Sequence, residues 1–327
     1  MITHKKKIFT NLIFITVILS LLTLQSSAIL IKNTNDEKNQ YALLIGYGAG
    51  LEIVTKDAID MKNVLLKYGW NEEDIKTVLG FKATKSNILN SITEWLDNKE
   101  QINDDVLIYF SIHGGKIDED GYSYYESLDE PDNKEEFIIP VEFSLRHPEY
   151  PLTPFGCDYS LAIMDEELNQ SINHLESENI AIIFESCYSG GMIDGDMDLK
   201  TPGRIVLTSS EASTESWIDR TSLRGFFTNN LIKGLKGEAD KEENGGNNNG
   251  KISIQEIFNY AKPRTTNEVY KKWCFTQEPQ IFDGYESEFE IIDLSKEVKN
   301  KNKAKQFDLN ITNLLRYIFI SIGNLIN

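Results

Sequence analysis

The 327-residue chain reads as an α/β protein, a mostly parallel sheet between layers of helices. Two observations predict this. Short apolar runs alternate with amphipathic helical spacing, in the order strand, helix, strand, helix, strand, from residue 41 to 110. Such an order gives a parallel sheet with right-handed crossovers. Two of the runs, Val106 to Phe110 and Ile180 to Phe184, also end in small-residue turns. The first turn is Ser111-Ile112-His113-Gly114-Gly115, the second Glu185-Ser186-Cys187-Tyr188-Ser189-Gly190-Gly191. Open parallel sheets carry their sites at the carboxyl ends of the strands.

The elements follow in order. Tyr41 to Ile45 is the first strand. Ala58, Met61, Val64, Leu65 and Tyr68 have helical spacing, and Gly69 ends that helix. Ile75 to Leu79 is the second strand. Ile88, Ile92, Trp95 and Leu96 mark the next helix, with Thr84 or Ser86 as its cap. Val106 to Phe110 is the third strand. Residues 116–160 break the rhythm with acidic turns and Pro140, Pro148, Pro151 and Pro154. An insertion of that length is usually functional; we expect it to require cutting or ordering before activity. A helix is expected from Asp165 to Leu175, then strands at Ile180 to Phe184 and Ile205 to Leu207. Helices from Phe226 to Leu235 and from Ser253 to Ala261 follow, the latter stopped by Pro263.

The formal charge of −18 disfavours a nucleic-acid partner, because no basic patch dominates such a field. It suits a basic substrate, Ca²⁺ or plain solubility. Lys5-Lys6-Lys7, an apolar stretch from Ile8 to Leu24, and Ser26-Ser27-Ala28 read as a signal peptide over residues 1–28. The expected location is therefore secreted or cell-envelope, with an uncleaved anchor as the alternative. A globular domain is expected over 36–294, then a charged linker and an apolar tail to 327 that lies at a membrane surface or packs on the domain. Membrane contact is thus open at either terminus. There are three cysteines. The economical pairing is a Cys157–Cys274 disulfide that leaves Cys187 over; two buried thiols are the alternative.

A thiol and an imidazole at neighbouring strand ends make a nucleophile and its base. Of the four histidines, His4 lies in the leader, His147 beside Pro148 in the insertion, and His174 among polar residues. His113 is the base that remains. The N–H groups of Gly114 and Cys187 are the candidate oxyanion donors.

Phe110-Ser111-Ile112-His113-Gly114-Gly115 and Phe184-Glu185-Ser186-Cys187-Tyr188-Ser189-Gly190 resemble the histidine and cysteine motifs of the caspase, metacaspase and legumain clan of cysteine peptidases. The resemblance spans roughly residues 40–292, with the histidine first and the cysteine second. It implies a caspase-like three-layer sandwich, peptide or protein substrates, and a His113–Cys187 dyad needing no third side chain. It also implies that Glu185, two positions before the cysteine, lines the primary specificity pocket. The stretch Asp129 to Pro140, with Asp132 as its pocket candidate, resembles the acidic segment of metacaspases linked to that pocket or to calcium sensitivity. A buried carboxylate at Glu185 favours Lys or Arg before the scissile bond. Between Gly46 and Asp57 there is no arginine, only Lys56, which ranks Asn second and Asp third. Alternatively, Glu185 is a strand-end carboxylate satisfied by backbone N–H groups. Two other functional readings are a legumain-like asparaginyl peptidase or transpeptidase, and a non-catalytic peptide-binding pseudo-peptidase.

Residues 240–256 resemble a degenerate EF-hand loop. Gly250 is its turn, Ile252 its apolar anchor, and Asn247, Asn249 and Glu256 its ligands. The first ligand position falls on Gly245, which has no side-chain oxygen, and Asp240 substitutes only by rearrangement. The competing reading is a turn that caps the helix starting near Ser253. No cofactor is required; Ca²⁺ is the candidate ion.

Overall fold

The computed structural model describes residues 38–48, 52–118, 134–150, 156–195 and 198–298. The readings for the leader, Asp132 and the apolar tail lie outside them. Among the described residues no helix is long and apolar enough to cross a membrane.

Six strands form the main sheet. They are β1 (Gln40–Tyr47), β2 (Ile75–Leu79), β3 (Asp105–Ile112), β7 (Asn179–Glu185), β8 (Arg204–Thr208) and β12 (Gln280–Asp283). Their order is β12-β8-β7-β3-β1-β2, parallel except for the β12 edge. β3 is central and buried at every position, as its unbroken apolar run requires.

Alternation of side chains divides the core between the two faces. Ala42, Leu44, Leu107, Tyr109, Ala181 and Ile183 face α1 (Glu52–Lys67), α5 (Phe226–Lys233) and α6 (Ile254–Trp273). Leu43, Ile45, Ile108, Phe110, Ile182 and Phe184 face α2 (Lys85–Asn90), with its π-type extension Ser91–Leu96, and α4 (Asp165–Ile172). The result is the three-layer sandwich expected, with a central mostly parallel sheet. Phe110 and Phe184 stack at 4.9 Å across the β3–β7 pair. Each such fully buried side chain contributes roughly 1.5–3 kcal/mol. Thr84 caps α2 by accepting from the Asn87 N–H at 3.1 Å.

Two expectations need correction. Pro263 does not stop the last helix; α6 runs 20 residues through it. The ring points to solvent, while Ala261, Thr265 and Val269 continue a buried stripe beyond it. Packing of that stripe outweighs the lost backbone bond. The insertion and its flanks carry β4 (Gly114–Asp118), β5 (Lys134–Ile138) and β6 (Ile163–Met164), a three-stranded antiparallel sheet, and α3 (Val141–Arg146). No disulfide joins Cys157 to Cys274. Cys157 packs on the aromatic cluster of Phe137, Phe143 and Tyr159, while Cys274 is exposed and ends α6 in a left-handed conformation.

The oxygens of the 240–256 loop serve its own backbone. Asp240 accepts from the N–H groups of Asn249 (2.9 Å) and Gly250 (3.1 Å). The side-chain oxygens of Asn247 and Asn249 accept from Asn249 and Lys251 N–H groups at 3.0 and 2.7 Å. Glu256 accepts from Asn247 at 3.1 Å and closes a capping box with Ser253. The oxygens named as cation ligands thus accept backbone N–H groups, and the loop caps the helix that follows it.

Candidate active site

Parallel pairing fixes where the two reactive side chains fall. Phe110 pairs with Phe184 and Ser111 with Glu185. His113 and Cys187 therefore each stand two residues beyond a paired position, on adjacent strands and at the same edge. The backbone between them is packed tight. A Cβ on Gly114 would overlap the Cys187 carbonyl and the Ser186 hydroxyl. Gly114 is thus the residue that lets the histidine turn close against the cysteine turn.

Small hydroxyl residues hold the cysteine turn from below. Ser186 N–H donates to Ser209 Oγ at 3.0 Å, and the Ser209 and Ser210 hydroxyls donate to the Ser186 carbonyl at 3.0 and 3.2 Å. Tyr188 takes a left-handed φ of 58° and donates its N–H to the Thr214 carbonyl at 2.9 Å. A side chain on Gly190 would meet the backbone of Glu211 and Ala212.

Segment 215–217 lies over the nucleophile. The Ser216 N–H donates to Cys187 Sγ at 3.4 Å, and the Ser216 hydroxyl donates to Glu185. Gln277 holds this segment in place: it accepts from Trp217 N–H at 2.8 Å and donates to the Ser209 carbonyl at 3.0 Å and Ser216 Oγ at 3.1 Å. Trp217 stacks on Phe275 at 4.5 Å.

Burial pushes the Cys187 thiol up to about 11, reinforced by the charges of Glu215 and Glu185 and opposed by the Ser216 N–H. Burial also holds the His113 imidazole below its ordinary value. Both shifts favour the uncharged forms.

Glu185 is buried, and both its oxygens are engaged. One accepts from Ser216; the other accepts from the Thr228 N–H at 2.6 Å, at the start of α5. Beside it lies a residue the sequence reading passed over. Asp57 of α1 is 1% exposed. Its Oδ2 accepts from Ser111 Oγ at 3.2 Å and Gly225 N–H at 3.0 Å. Its Oδ1 is buried with no donor. Burial, then the neighbouring Glu185, raises the Asp57 carboxyl well above the carboxylate range. Burial raises Glu185 as well. Asp57 had a signal: it falls between Val54, Ala58 and Met61, on the apolar stripe of its helix. A carboxylate there must be paired or functional.

His113, Gly114, Cys187, Tyr188, Ser216 and Trp217 share one cleft of about 710 Å³ with residues of the insertion. A second carboxylate cluster lies below the cysteine turn. Side-chain oxygens of Glu135, Asp165 and Glu166 fall within 4.8 Å of one another. No hydroxyl or N–H donates to either buried Asp165 oxygen. Burial and the charges of Glu166, Asp198 and Glu135 push the Asp165 carboxyl far up. The carboxylate of Glu136 packs against Gly191, four residues past Cys187.

An α/β sandwich with thiol and imidazole at adjacent parallel strand ends defines a caspase-like protein. A family model described as the caspase domain matches residues 38–289, and the chain belongs to that family. Among curated proteins it is 28% identical over 227 residues to Metacaspase-1 of Schizosaccharomyces pombe, covering 64% of this chain and 48% of that protein. It is 28% identical over 187 residues to Metacaspase-1A of Neurospora crassa, covering 53% of this chain and 36% of that protein. It is 32% identical over 139 residues to Metacaspase-1B of Aspergillus fumigatus, covering 39% and 28%. The chain thus spans less than half the length of each of these relatives.

Proposed function

We propose that the chain is a cysteine endopeptidase that cuts after Lys or Arg through Cys187 and His113. The observation that carries the specificity is Asp57 Oδ1, an acceptor sealed from water with no donor, beside the fully engaged Glu185. An ammonium or guanidinium group is the guest that satisfies it. The same guest offsets the burial that raises both carboxyls and, at Asp57, the added charge of Glu185.

Ser216 joins the two halves of the site, since its N–H meets Cys187 and its hydroxyl meets Glu185. A basic side chain that displaces the hydroxyl also draws the N–H off the sulfur, so filling the pocket bares the nucleophile. The Cys187 proton then passes to the His113 imidazole as Sγ bonds to the carbonyl carbon. The developing oxyanion lies by the N–H groups of Gly114 and Cys187. As the C–N bond breaks, the imidazolium proton goes to the leaving amine. Water gives its proton to His113, its oxygen attacks the thioester carbon, and the acid departs as Cys187 regains the proton.

Fluorogenic peptides that differ only before the scissile bond test this reading. Lys and Arg substrates are expected to exceed Asn and Asp by about a hundredfold or more in kcat/KM, the scale of a buried charged contact. Equal or higher turnover of Asn overturns the pocket assignment.

The Glu135, Asp165 and Glu166 oxygens are a hard-donor set suited to Ca²⁺. An ion held there would neutralise the cluster and steady the turn that follows Cys187 through Glu136 and Gly191. Ca²⁺ is expected to raise the melting temperature, to lose that effect in Asp165→Asn, and to keep it in Asn247→Ala of the capping turn. A shift that survives Asp165→Asn removes this assignment.

A further inference from the structure

We infer that the cleft selects the residue after the scissile bond, and that it takes a bulky uncharged side chain there. The inference rests on the peptidase reading above. The chemistry fixes direction along the cleft. The residue before the scissile bond reaches toward Glu185 and Asp57, on the side of Ser216. The leaving amine must receive its proton from His113, so the residue it carries lies on the His113 side.

That side has its own wall. Ile139, Phe143, Ser144, His147, Pro148 and Tyr150 line it, all from the insertion. The wall is tied to the base itself, because the Ile139 N–H donates to the His113 carbonyl at 2.9 Å. It also rests on Gly115, where a Cβ would run into the Tyr150 hydroxyl and the Phe137 ring. Phe143 and Tyr150 meet edge-on at 5.3 Å, and Phe137 and Tyr150 lie 5.8 Å apart. These contacts fix the aromatic surface before substrate arrives.

None of the wall residues that line the cleft is a lysine, arginine, aspartate or glutamate. His147 is tied on both sides within the insertion, its Nε2 accepting the Asp158 N–H at 2.8 Å and its Nδ1 lying 3.8 Å from Glu149. The charged lining residues, Glu215 and Arg220, come instead from the segment that carries Ser216 and Trp217. A charged side chain after the scissile bond is desolvated here without a partner, whereas Leu or Phe gains apolar contact.

Internally quenched peptides with Lys fixed before the scissile bond, and only the next residue varied, test this. The cut site is confirmed by product mass. Leu and Phe are expected to exceed Asp and Glu by about tenfold or more in kcat/KM. Ser144 is half-buried on this wall, so Ser144→Glu is expected to raise the ratio of Lys to Leu several-fold at that position alone. A flat or acidic preference, or a Ser144→Glu ratio equal to wild type, overturns this inference while leaving cleavage after Lys intact. Absence of cleavage in every peptide overturns the peptidase reading and this inference together.

Discussion

Cys187→Ala is expected to reduce peptide hydrolysis to background, and His113→Ala to lower kcat by about 10³-fold or more. Neither loss should come from unfolding. Cys187 makes only long sulfur contacts, to the Ser216 N–H at 3.4 Å and its carbonyl at 3.7 Å, and alanine fits the same turn. The pair's resting state makes a second, sharper expectation. Its thiol lies far above neutrality, at about 11, and burial holds its imidazole low. The thiolate is therefore scarce at neutral pH, and alkylation by iodoacetamide should be slow there and climb with pH toward about 11. His113→Ala should leave that climb in place. A rate already flat at neutral pH would mean a standing thiolate–imidazolium pair, contrary to what burial of both groups favours. Peptide turnover need not follow the alkylation curve, because substrate entry lifts Ser216 from the sulfur.

The placement of His113 and Cys187 at adjacent strand ends was legible because its signal is local. Two unbroken apolar runs each end in a reactive residue followed by glycine or serine-glycine, and parallel pairing brings their ends together with no further information. What escaped was set by tertiary context. Residues 134–138 carry Lys134, Glu135 and Glu136 and read as part of an acidic loop, yet they form β5. Glu135 and Glu136 are buried there, Glu135 within the cluster around Asp165, which an acidic run in the sequence does not announce. The edge strand β12 is short and half-buried, with two apolar residues, and leaves no periodic trace. Calcium was assigned to the 240–256 loop because that segment has ligand-like letters in order. Which oxygens are already taken by backbone N–H groups is a three-dimensional fact. Asp57 escaped for the opposite reason: one acidic letter inside a helix is usually solvated, and only its neighbours on the stripe say otherwise.

Asp57→Asn is expected to lower kcat/KM for Lys and Arg substrates by about two orders of magnitude, the scale of a lost buried charge contact. It should at the same time make the empty protein more stable. The two effects have one cause. The folded protein holds this carboxyl above its unfolded value, through burial and then Glu185. A group of that kind binds its proton more tightly when folded, so its contribution to stability falls as pH rises through the window between the two values. Asparagine has the shape of the protonated acid and no charge to desolvate. It can still accept from Ser111 and Gly225, and its amide can face the side where Oδ1 has no donor. The melting temperature of Asp57→Asn should therefore match wild type at acid pH and exceed it by a widening margin toward alkaline pH. A saturating lysyl inhibitor should close that margin by stabilising wild type more than the variant. Loss of stability at every pH would make Asp57 a scaffold residue and remove it from the pocket. Loss of Lys and Arg cleavage with a pH-dependent gain in stability is what a specificity carboxylate, held charged only by its guest, must show.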